Sequence, residues 1–229
     1  AKASNGGIAL HHAARSSNPE SVKVVLALYP EPERLQVMMN VKDEFERTVL
    51  HYAAYSENTI EGILHLIPGS YRLRMLKMKS VDEETALHIA AESGNPESVK
   101  AILNVYPESE RLQAVSMKSK SGTNVLHYVA ASRNPDRSSK LECVKAILAV
   151  YPEKELFRMV CMTEEFGHAT ALHRACESGD HEIVKYIMSL FSESQRFKIV
   201  SVGNKSGYTL LHCAAQLDNH ELIESILTS

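Results

Sequence analysis

The segment TALHIAAESGNPE, residues 85–97, decides the fold of this chain. Thr85 can cap a helix because its hydroxyl can accept a hydrogen bond from a free backbone N–H in the first turn. Asn95, Pro96 and Glu97 then mark a second helix, since Asn caps well, Pro suits the first helical position and Glu favours the positive end of the helix dipole. The segment therefore predicts two short helices joined by a tight polar turn.

The Leu-His pair of this segment recurs along the whole chain. Six copies that share one register are Leu10-His11, Leu50-His51, Leu87-His88, Leu126-His127, Leu172-His173 and Leu211-His212. Two small residues follow each histidine at the same offset, and Thr precedes the pair in four copies. Several features that stay in register six times indicate an internal repeat rather than chance.

The rest of each unit predicts further helices. Aliphatic residues at helical spacing follow the turn, as in Val99, Ile102 and Leu103. Beyond them, residues 30–38 match residues 107–115. Both segments begin with Pro, carry Glu early and then have Arg, a pattern that predicts a third short helix packed beside the second. We expect the Glu-x-Glu-Arg runs to be solvated. The insertion Asp136 to Leu141 predicts either a surface loop or a lengthened helix start.

The pattern Thr-x-Leu-His-x-Ala-Ala, a polar turn, then Glu-x-Val-Lys-x-x-Leu closely resembles the ankyrin repeat. The resemblance covers residues 7–228, although most units here exceed the usual length of about 33 residues. It implies an all-α solenoid of stacked helix pairs, with hairpin loops on one side and a concave binding surface. We expect one domain, residues 1–229, of six repeats with approximate bounds 5–42, 43–80, 81–118, 119–163, 164–203 and 204–229.

Unit one departs from the pattern, because Ile8 stands where Thr is expected. Terminal repeats often differ since they close the stack, so unit one is interpreted as an end cap.

The composition excludes several classes of function. The chain has 229 residues, 44% of them hydrophobic, and a net charge of −3, as is usual for a soluble globular protein. A nucleic-acid binder would need a basic surface, and the apolar runs are too short for membrane insertion. The four cysteines form no C-x-x-C pair, which favours reduced thiols and a cytoplasmic location.

The eleven histidines do not indicate a metal site or an active site. Six belong to the repeat, and units that stack about 8–10 Å apart spread them into a ladder. A zinc ion needs all its ligands within about 2.3 Å. We expect each repeat histidine to link its loop to the backbone of the next by hydrogen bonds. Nucleophile and phosphate-binding motifs are missing from the sequence, so we predict no catalytic residue, no metal, no cofactor and no enzymatic activity.

Two cysteines occupy repeat positions with different expected surroundings. Cys176 takes the second Ala position, so we interpret it as a small packing residue rather than half of a Cys–His pair. Cys213 follows His212 at a variable position, where we expect it to be reachable by solvent.

The resemblance also implies where a partner protein would bind, namely at loop tips and at variable positions of the first helix. Carried over by register, the expected contact residues are Glu44, Phe45, Arg47, Tyr52, Tyr55, Glu84, Ile89, Glu92, Thr123, Tyr128, Phe166, Arg174 and Tyr208. Tyr and Arg most often anchor interfaces, which singles out Tyr52, Tyr55, Tyr128 and Arg174. We expect Tyr52 and Tyr128 to be exposed, while Phe45 and Phe166 are either exposed or folded back on their hairpins.

The favoured function is therefore a monomeric module that binds a protein partner. Two alternatives stay open: the targeting arm of a larger enzyme, and a purely structural spacer. The elongated units also resemble those of secreted effectors of intracellular bacteria, which would place the chain in a host cytoplasm.

Overall fold

A computed structural model describes residues 9–56, 59–217 and 220–228, and over these ranges the chain forms seventeen α-helices. The first helices of the six units are α1 (Ala9–Arg15), α4 (Val49–Ala54), α7 (Ala86–Ser93), α10 (Val125–Ala130), α13 (Ala171–Glu177) and α16 (Leu210–Gln216). The second helices are α2 (Pro19–Leu26), α5 (Thr59–Leu66), α8 (Pro96–Val105), α11 (Arg137–Leu148), α14 (His181–Ser189) and α17 (His220–Thr228). The third helices are α3 (Glu31–Asn40), α6 (Gly69–Leu76), α9 (Glu108–Ser116), α12 (Glu153–Val160) and α15 (Glu193–Val200). The all-α repeat fold predicted from the sequence is confirmed.

Helix starts follow the capping signals of the sequence. The side chain of Asn95 accepts hydrogen bonds from the backbone N–H of Glu97 at 3.0 Å and of Ser98 at 3.2 Å. The Oγ1 of Thr170 accepts from the backbone N–H of His173 at 3.3 Å. Ile8 and Asn219, which belong to the expected start signals of unit one and of α17, lie outside the described residues.

The units stack in two layers because no helix pair can bury its own apolar face. Each first helix packs against the first helices of its neighbours, and the second helices do the same. The leucine of the Leu-His pair is buried in units one to five, and the small residues after the histidine let neighbouring helices approach. The resulting core runs through all units as one continuous cluster.

The predicted third helices are present in units one to five, and in four of these units an arginine ties the third helix to the second. In unit three the Nε of Arg111 donates a hydrogen bond to the carbonyl of Tyr106 at 3.2 Å, just past the end of α8. The same bond forms in units one, two and five, through Arg34, Arg72 and Arg196. These arginines are half-buried. The expectation that the whole Glu-x-Glu-Arg run is solvated is therefore wrong for its arginine.

The insertion in unit four lengthens the start of a helix. Asp136 caps α11, accepting from the backbone N–H of Ser138 at 3.0 Å and of Ser139 at 3.4 Å. As a result α11 has 12 residues where α2 has 8. Of the two alternatives for this segment, the lengthened helix is the correct one.

The hairpins between units form a second ladder beside the helices. Residues 43–47, 80–84, 119–123, 164–169 and 204–208 each close through a backbone hydrogen bond between their ends. One backbone N–H of each hairpin after the first donates to a carbonyl of the preceding hairpin: Val81 to Phe45, Lys120 to Asp82, Glu165 to Ser121 and Lys205 to Gly167. Each hairpin also holds one residue at positive φ: Glu46, Glu83, Gly122, His168 and Gly207. The spacing between hairpins is therefore fixed by the backbone.

A pair of glycine substitutions measures how tightly the hairpins pack. Gly122 and Gly207 have nearly equal φ angles of +74° and +75°. A Cβ on Gly122 would meet the Glu165 side chain at 2.5 Å and its backbone nitrogen at 3.0 Å, whereas a Cβ on Gly207 meets nothing within 4 Å. We expect Gly207→Ala to cost about 1 kcal/mol of backbone strain. Gly122→Ala should cost about 1–3 kcal/mol more because of overpacking.

Urea denaturation of both variants beside the parent chain gives the difference directly. Equal losses of unfolding free energy for the two alanine variants would show that the contact between Gly122 and the next hairpin leaves room for a methyl group.

Within the described ranges, no helix has the length and apolar character needed to cross a membrane.

Candidate functional site

The repeat histidines join each first helix to the following hairpin. In His51, His88 and His173 the Nδ1 accepts from the backbone N–H of the preceding threonine, at 3.1 to 3.2 Å. The Nε2 lies 3.1, 3.1 and 3.0 Å from the carbonyl oxygens of Glu84, Met117 and Tyr208. Because an amide N–H only donates and a carbonyl only accepts, these imidazoles are neutral and carry their proton on Nε2. The predicted linking role is confirmed for these three histidines.

His127 is held differently because Asn124 replaces threonine. The Asn124 Oδ1 already accepts from two backbone N–H groups, and it lies 2.7 Å from the Nδ1 of His127. That oxygen can only accept, so Nδ1 carries the proton here. The Nε2 of His127 is buried without a hydrogen bond of normal geometry, although the carbonyls of Ala169 and Met162 lie close enough to act on its pKa.

Burial makes these histidines hard to protonate. It lowers the pKa of His51, His88 and His127 to about 4, against the opposing effect of nearby carbonyl oxygens. The pKa values of His11 and His173 are lowered for the same reason. In the part of the chain that the structure describes, no three His, Cys, Asp or Glu side chains come together as metal ligands. The described repeat histidines therefore act through the hydrogen bonds that join neighbouring units.

The exposed sides of the first helices and the five hairpins together form a surface that we call the first-helix face. Three residues expected to be accessible there are instead buried. Tyr52 is 6% exposed, Ile89 is 1% exposed and Cys213 is 6% exposed, so the expected exposure of Tyr52 and Cys213 and the direct contact expected of Ile89 are wrong. Thr123 is half-buried, with its hydroxyl 2.7 Å from that of Ser121.

Tyr52 is buried because its own hairpin closes over it. Its hydroxyl donates to Oδ2 of Asp43 at 2.8 Å, and its ring stacks on His11 with centroids 4.8 Å apart. Burial raises the pKa of Asp43, but hydrogen bonds from the Arg47 backbone, from Tyr52 and from the Arg47 side chain outweigh it and lower that pKa. Tyr52 and Asp43 therefore position Arg47, whose guanidinium lies 4.7 Å from the centroid of Phe45.

The middle of the face carries four residues that we call the central strip: Tyr55, Glu84, Glu92 and Tyr128. The Tyr55 hydroxyl donates to Oε2 of Glu92 at 3.0 Å, and the Tyr128 hydroxyl donates to Oε1 of Glu84 at 2.6 Å. Both bonds cross from one unit to its neighbour. Burial and the adjacent carboxylates raise the pKa of both phenols, which therefore remain hydrogen-bond donors at neutral pH.

Units one and five each add an arginine to this face. The guanidinium of Arg15 lies over the Tyr55 ring, 5.7 Å from its centroid. On the other side, Arg174 pairs with Glu164 and, at 2.8 Å, with Glu177. Aromatic, acidic and basic side chains thus alternate along the face. Hydrogen bonds, ion pairs and cation–π contacts between them already hold them in place.

The hairpin tips add exposed aromatic rings. Phe45 is 44% exposed, Phe166 is 72% exposed and Tyr208 is 45% exposed, and Glu44 is exposed beside Phe45. Both phenylalanines are therefore available to solvent, which decides the alternative left open by the sequence.

A buried ion pair next to this face was not predicted. The Nζ of Lys140 lies 2.5 Å from Oδ2 of Asp180, and their side chains are 5% and 2% exposed. The pair borders an open polar cleft of about 450 Å³, which Arg133, Arg137 and Glu177 also line. The insertion that lengthens α11 was the only sequence signal, since no repeat pattern marks a lysine at this place.

The fold and this face together define an all-α helical-repeat protein. A family model described as ankyrin repeats in three copies matches residues 65–157 and 137–229. The chain belongs to the ankyrin-repeat family, whose members are protein–protein interaction modules and typically non-catalytic scaffolds.

Two further comparisons complete this result. No curated protein matches the chain. One similar solved structure is a complex of a predatory endopeptidase from Bdellovibrio bacteriovorus with an immunity protein. The match to one chain of that complex covers 100% of both chains at 17% identity with a TM-score of 0.65, and it shows a shared fold.

Proposed function

We propose that this chain binds a partner protein through the first-helix face. The contacts would come from the central strip, from Arg47 and Arg174, and from the exposed tips Phe45, Phe166 and Tyr208. Tyr52, Ile89 and Thr123 support this face from beneath. In this proposal the chain acts as a monomer in a reducing cytoplasm, which suits its free cysteines.

The central strip is the observation that carries the proposal. Tyr and Arg dominate the binding energy of many interfaces. Binding usually costs about 0.5–1.5 kcal/mol for each mobile side chain that becomes immobilised. Here Tyr55 and Tyr128 are already oriented by Glu92 and Glu84, so much of that cost is met in the free chain.

Alanine substitution on the strip provides the test. With the partner captured from lysate of the source cells and purified, we expect Tyr55→Ala and Tyr128→Ala each to weaken binding roughly 10- to 30-fold, as anchor residues do. The affinity is measured by calorimetry. Tyr128→Phe keeps the ring and removes only the bond to Glu84, so a smaller loss is expected.

Phe197→Ala is the matched control, because Phe197 is an aromatic ring 77% exposed on the third helix α15. It should leave the affinity unchanged. If the two tyrosine variants are folded and still bind like the parent chain, this face does not bind the partner. The proposed role as targeting arm of a larger enzyme is checked separately, by reading the full-length gene product on both sides of these residues.

A further inference from the structure

The outer side of α2 in unit one and the turn that follows it carry exposed apolar side chains. Val24 lies on α2 and Leu28 lies two residues past its end, and they are 69% and 81% exposed. Val22 and Leu26 on the same helix are buried in the stack. An end unit that faces water needs a polar outer side to keep the stack soluble. Unit one does not present one here.

The register of the repeat shows what usually covers these positions. The residues equivalent to Val24 are Gly62, Ala101, Ala146 and Tyr186, and those equivalent to Leu28 are Leu66, Val105, Val150 and Leu190. The Val24 equivalents lie toward the preceding unit. Of the Leu28 equivalents, Leu66, Val105 and Val150 are half-buried and Leu190 is 40% exposed, so the Leu28 position is covered less completely. A Cβ on Gly62 would meet the Cβ of Pro19 at 2.6 Å, and Nζ of Lys145 lies 5.7 Å from the centroid of the Tyr186 ring.

Unit one also lacks cover that units two to five retain. Val25 is half-buried, whereas the four residues at its position are all 0% exposed: Ile63, Ile102, Ile147 and Ile187. On the first helix, Ala13 is 9% exposed while its equivalents Ala53 and Ala90 are 0% exposed. The missing cover therefore extends over both helices, as it would if one whole helix pair were absent from this side.

We propose that a further helix pair of ankyrin type docks on this face, in the place of a unit that precedes unit one. Its second helix would oppose α2 through Val24, Val25 and Leu28, as α2 opposes α5 and α8 opposes α11. The interface would continue the one that already joins the described units. On this account unit one is an internal repeat rather than the end cap expected from the sequence. The proposal is independent of the first-helix face.

The test places Val24→Glu with Leu28→Glu in the 229-residue chain and in the full-length polypeptide that contains it. In the 229-residue chain the double variant should leave the urea midpoint unchanged, because both side chains face water. In the full-length polypeptide it should lower the folded-to-unfolded ratio of the first units roughly 100-fold, since two apolar side chains would lose their cover. Hydrogen exchange at α2 should rise correspondingly.

Val105→Glu is the control, because it occupies the same register inside the stack and should destabilise both polypeptides. A midpoint that the double variant leaves unchanged in the full-length polypeptide would overturn the proposal. So would a full-length polypeptide with no helix pair before unit one. Dissociation of a dimer of the 229-residue chain by the same variant would assign the face to a second copy and would also overturn it.

Discussion

Lowering the pH from 7 to 5 is expected to remove several kcal/mol from the unfolding free energy of this chain. His51, His88 and His127 have a pKa of about 4 when folded, and an ordinary histidine has 6.5. As the pH falls through 6.5, the unfolded chain binds protons first, so the folded state loses stability from about pH 7 down to pH 4. At pH 5 each of the three contributes a loss of about 2 kcal/mol.

The cost arises from the hydrogen bonds as well as from burial. In His51 and His88 the Nδ1 accepts from a backbone N–H, and a proton added there would leave two donors facing each other. A total of about 6 kcal/mol is comparable with the whole stability of many domains, about 5–15 kcal/mol. Acid should therefore unfold the stack well before its carboxylates are fully protonated.

Urea denaturation at pH 7.5, 6 and 5 measures this loss. His88→Gln removes one titrating group, so it should reduce the change between pH 7.5 and 5 by about a third, while also lowering the stability at pH 7.5. His65→Gln is the control for the substitution itself, because His65 is exposed on α5, outside the buried ladder. A profile for His88→Gln that superimposes on the parent profile would show that the ladder does not govern acid unfolding.

Lys140→Met is expected to destabilise the chain by about 3–5 kcal/mol. The substitution leaves the Asp180 carboxylate buried without its main partner, because the Lys140 Nζ lies 2.5 Å from Oδ2. Arg137 is 3.7 Å from the other oxygen and half exposed, so it can compensate only in part. The pair links the start of α11 to the start of α14, and its loss should loosen the contact between units four and five.

A second substitution separates charge from packing. Adding Asp180→Asn to Lys140→Met replaces the buried carboxylate with a neutral amide, so the double variant should be more stable than Lys140→Met alone. Lys145→Met is the matched control, since its ion pair with Glu142 on the same helix is about half exposed, and such pairs contribute at most about 1 kcal/mol. Equal losses for Lys140→Met and Lys145→Met in thermal or urea unfolding would mean that burial of the pair has no energetic consequence.

Position in the repeat predicted the binding residues less well than it predicted the fold. Tyr52 and Tyr128 occupy the same position after the repeat histidine, yet Tyr52 is buried and Tyr128 is half-buried. The difference lies in their partners, because Tyr52 bonds to Asp43 in its own hairpin while Tyr128 bonds to Glu84 in the preceding unit. Helical periodicity predicts the face of the helix on which a side chain lies. It does not predict which residue of a hairpin or of a neighbouring unit that side chain contacts.

The sequence by itself determined the all-α repeat fold, the order of helices within a unit and the linking role of His51, His88 and His173. These follow from local rules, namely capping, helical periodicity and a pattern repeated often enough to exclude chance. The tertiary structure alone decided which variable side chains reach solvent, which hydroxyls pair with Glu84 and Glu92, and that Lys140 meets Asp180 40 residues away. The reason is physical: each of these depends on contacts between units, and the identity and position of the residue across an interface are set by packing rather than by local sequence.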